Sequence, residues 1–153
     1  MFTIMDHKKK QLDQIRPLPK HTLNSLREKM LLEWTYHSNA IEGNTLTMNE
    51  TKVVLEGITV GGKTMREHLE VINHRDAILY VEDIVQKNEP FSEWQIKNLH
   101  RLVLKGIHDD YAGIYRDQQL FIAGAQHTPP PHFRIQEEMD EMVYELGTRP
   151  SSS

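Results

Sequence analysis

The stretch 22–44, TLNSLREKMLLEWTYHSNAIEGN, decides what kind of chain this is. Leu23, Leu26, Met30, Trp34, His37 and Ile41 recur at three- and four-residue spacing, which predicts a helix with these side chains on one face. Pro17 and Pro19 stand before it as breakers, and Gly43-Asn44 follows it as a stop signal. The last helical turn carries Glu42. A helix C-terminus bears partial negative charge, so a carboxylate there is disfavoured by about 0.3–1 kcal/mol, and Lys or Arg suits the position better. Ser38, four residues earlier on the same face, is close enough to hydrogen-bond that carboxylate. A carboxylate so placed and so supported fits a group whose partner is a cation outside the helix. The alternative is a helix that merely ends in Glu-Gly, since the penalty is small.

Four further helices are expected. Thr47 and Glu50 form a capping box for a short one carrying Val53, Val54 and Leu55, which ends at Gly57. After the link GITVGG, Thr64 and Glu67 open a long helix with Met65, Leu69, Ile72, Tyr80 and Ile84 as its apolar stripe. Its break falls near Lys87–Pro90. Ser92 and Gln95 open the next, with Phe91 placed to pack on Ile96 and a face of Ile96, Leu99, Val103 and Ile107. The short apolar run Gln119–Ala123, bounded by Gly124, reads as a strand or hairpin arm. TPPPH, Thr128–His132, is an extended link. A final helix covers Ile135–Leu146, with Ile135, Met139, Met142, Val143 and Leu146 on its apolar side, and GTRPSSS has no structural signal. The expected fold is mainly α with one small β-hairpin, which argues against a doubly wound sheet.

A length of 153 residues suits one domain, and a domain of this size buries roughly 70% of its unfolded surface. Apolar residues make up 38% and charged residues 26%, and the net charge is −4, with no dominant block of either sign. Nucleic acid and anionic membranes are therefore not expected partners. The run Lys8-Lys9-Lys10 reads as a solvated turn. There is no cysteine, which excludes disulfides and thiolate chemistry and favours a reducing compartment. No apolar stretch approaches the ~20 residues that span a bilayer, and MFTIMDHKKK lacks the order of a signal peptide, so a cytoplasmic protein is expected. None of the nine histidines has H-x-x-x-H spacing, so no metal site is expected. Homo-oligomerisation remains open.

S-N-A-I-E-G, Ser38 to Gly43, matches the inhibitory motif [S/T]-x-x-x-E-[G/N] of the Fic family of protein adenylyltransferases. Three stretches in order resemble that family: residues 16–51, which hold the motif, GGKTMREHLEVINHRDAI at 61–78, and GIYRDQQLFIAGAQHTPPP at 113–131. The resemblance implies a Fic-like helical fold and a reaction that moves AMP from ATP, with Mg²⁺, to a protein hydroxyl. It implies that Glu42, supported by Ser38 and followed by the helix-ending Gly43, pairs with an arginine of the catalytic motif and keeps the ATP γ-phosphate from its productive pose. It also implies a flap hairpin around Leu120, Phe121 and Ile122 that receives the target as an added strand, with Gly124, Gln126 and His127 near the nucleotide base. Residues 1–90 then form the N-terminal helical region with the inhibitory helix, 91–147 the start of the core with the flap, and 148–153 an unstructured tail.

The family's catalytic motif, H-P-F-x-[D/E]-G-N-[G/K]-R, does not occur in these residues; His132-Phe133-Arg134 lacks its proline, acid and glycines. No catalytic residue is therefore assigned. The expectation is an N-terminal portion of a Fic enzyme, cut before the motif and inactive alone. Two alternatives stand beside it. One is a helical regulatory module that presents Glu42 in trans to a Fic core. The other is a P-loop nucleotide binder, because GITVGGKT, Gly57–Thr64, fits G-x-x-x-x-G-K-[ST]; that reading requires a preceding strand, where a capped helical pattern stands instead.

Overall fold

A computed structural model describes residues 2–15 and 18–149. Its helices are α1 (Phe2–Ile15), α2 (Lys20–Ile41), α3 (Met48–Leu55), α4 (Met65–Gln86), α5 (Glu93–Leu104) and α6 (Ile135–Thr148), with a 3₁₀ turn at His132–Arg134 before α6. There is no strand among the described residues. No helix among them is long and apolar enough to cross a membrane.

All three expected capping boxes form. Thr47, Thr64 and Ser92 each accept from the backbone N–H three residues on, and Glu50, Glu67 and Gln95 each accept from the cap residue's own N–H. Two free N–H groups at each helix start are thereby satisfied. Pro19 precedes α2 directly; Pro17 lies outside the described residues. The lysine run expected as a turn lies inside α1, a helix the sequence reading does not assign. The last helix is longer than expected and takes in Gly147 and Thr148. The rest of the expected tail, from residue 150, lies outside the described residues.

α4 is the spine, with α2 and α3 packed on one side and α5 on another, and α6 rests on α5. The apolar core is small. Leu46, Val54 and Val71 form its buried centre, flanked by Leu55, Val60 and Ile72. Polar residues fill much of the rest. Asn73 is 3% exposed and donates to the Val103 and Lys105 carbonyls, 3.1 and 2.8 Å away, so that α4 caps the end of α5. His68 bonds the Thr64 carbonyl through Nδ1 and accepts the Val60 N–H at Nε2.

α2 packs on α4 through Thr35. Thr35 is completely buried against α4, where its Oγ1 lies 3.3 Å from His74 Nδ1 and its carbonyl accepts from Asn39. Burial lowers the His74 pKa, favouring the neutral ring at this seam. The apolar stripe read from the spacing faces outward: Met30 and Trp34 are each 63% exposed and Ile41 is 83% exposed. α4 buries His68, Val71, Asn73 and Ala77, and of its expected stripe Leu69, Ile72, Tyr80 and Ile84 are half-buried while Met65 is exposed. Asn73→Ala removes both bonds to the α5 carbonyls and is expected to cost about 2 kcal/mol. In a chain of this size that lowers the melting temperature by about 4–8 °C in a thermal scan.

Candidate functional site

Gly43 sets the geometry of the segment Ser38–Asn44. Its φ of +94° lies in the left-handed region, where L side chains are strained. This lets the Gly43 N–H reach the Ala40 carbonyl at 3.1 Å and the Asn44 N–H reach the Asn39 carbonyl at 3.0 Å. These two bonds are a Schellman motif, which ends the helix with its carbonyls satisfied. Glu42 is the C-cap residue just before this turn. It is exposed, and no hydrogen bond or ion pair engages its carboxylate among the described residues. Ser38 is half-buried one turn back and does not form the expected hydrogen bond to Glu42 among the described residues.

The residues after Gly43 are tied to the start of α4. Asn44 Nδ2 donates to the Glu67 carbonyl at 3.1 Å and to Glu70 Oε2 at 2.9 Å, while its Oδ1 accepts the Leu46 N–H at 3.0 Å. Thr45 donates to Glu67 Oε1 from its N–H at 3.0 Å and from its hydroxyl at 2.5 Å. Lys63 Nζ donates to the Thr45 carbonyl at 2.8 Å and to its hydroxyl at 3.1 Å. Leu46, 3% exposed, then plugs into the core. The Thr45 hydroxyl, then the Thr64 and Thr45 N–H groups, hold the Glu67 pKa down at about 2, because each stabilises the charged form.

These contacts dispose of the phosphate-loop alternative. The element before Gly57 is the helix α3, not a strand. Lys63 holds a carbonyl of the chain itself and Thr64 caps α4. The described residues thus offer no P-loop cradle, nor a group of three His, Asp or Glu able to hold a metal.

Residues 113–131, expected as a flap hairpin, run between α5 and α6. Here the expected hairpin is corrected to an irregular loop. A turn closes between the Ile122 carbonyl and the Ala125 N–H at 3.2 Å, with Gly124 at φ +75°. Its two arms are joined by side chains: Arg116 donates to the Pro130 carbonyl, and Gln119 Nε2 donates to the Pro129 carbonyl at 3.2 Å. The reason is chemical, since Pro129, Pro130 and Pro131 have no N–H to give a ladder. Leu120, Phe121, Ile122, Gly124, Gln126 and His127 are all exposed. No bond among the described residues links them to Glu42.

The base of this loop is fixed by a residue the sequence reading missed. Glu93 accepts from Lys97 at 2.9 Å, from the Tyr115 hydroxyl at 2.8 Å and from Gln136 at 3.0 Å, joining α5, the loop and α6. The Lys97 ammonium also sits 4.5 Å from the Tyr115 ring centroid. Lys97, Tyr115 and Gln136 together hold the Glu93 pKa at about 2. Burial, followed by the Glu93 carboxylate, pushes the Tyr115 phenol up to about 12. A glutamate in the first turn of a helix satisfies the macrodipole rule, so its sequence gave no further signal. Beside this hub, a cleft of about 820 Å³ opens between α5, the loop and α6, with Ile96, Leu104, Ile114, Ile135 and Met139 on its walls.

Both carboxylates predict acid sensitivity. Their folded-state values lie below the ordinary 4.5, so the unfolded chain binds protons more readily. Their contribution is complete above about pH 4.5 and is lost as pH falls toward 2. The urea midpoint is expected to drop across that window, and Glu67→Gln and Glu93→Gln each to flatten the drop.

No family model matches the chain. Individual proteins do. It is 33% identical over 141 residues to the protein adenylyltransferase Fic of Nematostella vectensis, covering 90% of this chain and 33% of that protein. It is 32% identical over 151 residues to the Drosophila virilis protein of the same name, covering 97% of this chain and 30% of that one. The chain thus spans about a third of the length of these relatives. Its fold is similar to a Fic-domain-containing signalling protein of Bacteroides thetaiotaomicron, with a TM-score of 0.80 and 25% identity over 92% of this chain and 54% of the other. Sequence and fold agree on one conclusion: the chain belongs to the Fic family.

Proposed function

We propose that this chain carries the inhibitory and target-binding parts of a Fic-type protein adenylyltransferase, which transfers AMP from ATP to a protein hydroxyl. One observation carries the reading. Glu42 stands exposed, without a partner among the described residues, as the C-cap residue of α2, about a quarter turn round from the exposed face that bears Met30, Trp34 and Ile41. A carboxylate with no partner on its own chain, beside an uncovered apolar face, is suited to meet an arginine on a surface that packs there. The pair would be bidentate and charge-assisted. While it stands, that arginine is withheld from the nucleotide phosphates.

In this reading residues 1–90 supply the inhibitory helix and 91–147 the start of the catalytic core. Ser38 supports the last turn and Gly43 ends it. Leu120–Ile122 form an exposed arm to which a target backbone adds, ordering it as a strand. Gly124, Gln126 and His127 lie near the nucleotide base. ATP and Mg²⁺ require residues outside these 153, because the sequence has no catalytic motif and its one phosphate-loop lysine is committed to Thr45.

Two labelling experiments test the proposal. The 153-residue polypeptide, incubated with labelled ATP·Mg²⁺ and a protein acceptor, is expected to give no labelling. Joined to a Fic catalytic segment, it is expected to give low labelling that Glu42→Gly raises roughly 10–100-fold, the equivalent of a charged hydrogen-bonded pair worth about 1.5–3 kcal/mol. Equal labelling with and without Glu42 defeats the reading. The exposed α2 face also favours a second reading, in which the chain inhibits in trans. Mixing it with a Fic enzyme freed of its own inhibitory glutamate then lowers labelling, and the Glu42→Gly chain does not.

A further inference from the structure

All three polar groups of Thr45 are held by two oppositely charged side chains. Glu67 takes the N–H and the hydroxyl proton, and Lys63 donates to the carbonyl and to the hydroxyl oxygen. Two residues separate Thr45 from Glu42, a span of about 10 Å at most. The intervening Asn44 is itself bonded back to the last turn of α2 through the Asn39 carbonyl and forward to Glu67 and Glu70 on α4. Movement at Thr45 is therefore transmitted to the helix end that presents Glu42.

Capping alone does not require this arrangement. Glu50 performs the same box chemistry for α3 and reaches no other element. Glu67 caps α4 through Oε2 and has Oε1 left over, and that second oxygen takes the strap. The Lys-Thr pair that imitates a phosphate loop is accounted for in the same way, with Lys63 on the strap and Thr64 on the cap.

We infer that Glu67, assisted by Lys63, is a positioning residue for Glu42: it holds the Asn44–Thr45 strap against the first turn of α4 and so fixes where the inhibitory carboxylate is presented. The inference rests on the inhibitory reading of Glu42. It assigns the set-point of inhibition to a residue 25 positions away that touches neither nucleotide nor target. A change that loosens the strap raises activity, whereas simple damage to the fold lowers it.

The first test uses the 153-residue chain and amide hydrogen exchange. Glu67→Gln and Lys63→Met are expected to speed exchange of the Gly43 and Asn44 amides about tenfold or more, while Glu50→Gln leaves them unchanged. Thr45→Val, which removes only an exposed hydroxyl, serves as the milder variant should Glu67→Gln unfold the chain. The second test uses the chain joined to a Fic catalytic segment. Glu67→Gln is expected to raise labelling by part of the amount that Glu42→Gly does, and to add nothing in the Glu42→Gly background. Unchanged exchange in the strap overturns the inference. So does labelling that rises equally in both backgrounds, or that rises with Glu42→Gly and not with Glu67→Gln. If Glu42→Gly itself has no effect, the inhibitory reading falls and the inference falls with it.

Discussion

The carboxylate of Glu67 joins the end of one helix to the start of another. One oxygen completes the capping box of α4 and the other receives Thr45. That shared group ties the segment after Gly43, just ahead of the buried Leu46, to the first turn of α4. Remove the charge and two things loosen together, because the donors on both sides face the same acceptor. A lowered carboxylate pKa of about 2 is the electrostatic signature of that convergence. The group also fixes register, because a carboxylate that several donors meet admits few geometries.

Local rules were legible and remote ones were not. The three capping boxes were readable because each is a contract between residues three apart, and sequence spacing states it in full. The stop at Gly43 was readable for the same reason, since a left-handed C-terminal residue is almost a glycine monopoly. The second partner of Glu67 lies 22 residues away at Thr45, and Glu93 finds Tyr115 and Gln136 at separations of 22 and 43. A glutamate in a first helical turn already has a sufficient local reason to be there, so nothing in the sequence advertises the second one.

The α2 stripe of Leu23, Leu26, Met30, Trp34, His37 and Ile41 is one helical face, as its spacing states, and that face is exposed. Periodicity finds a face; it does not name what covers it. Thr35 took the inner position through hydrogen bonding with α4 rather than through hydrophobicity. The hairpin failed on the prolines, which were read as an extended link and not as a missing row of donors. An isolated two-stranded hairpin is marginal in water even with a full ladder.

The uncovered face and the missing ladder belong to one physical situation. A small apolar centre of Leu46, Val54 and Val71 cannot by itself account for the apolar residues that the sequence spends on α2, α6 and the 113–122 segment. Large side chains left in water, such as Trp34, Phe121, Phe133 and Tyr144, cost the folded chain nothing relative to the unfolded one, but they gain it nothing either. Their burial is available only to a partner surface. The polar network from Thr45 to Glu70 is complete without that partner, so the segment that follows Glu42 is held in place by this chain alone. Binding then needs little ordering of the helix end, and the cost of association falls accordingly. A preformed strap beneath an uncovered apolar face is thus the arrangement in which a single carboxylate can hold an arginine without first having to organise its own helix.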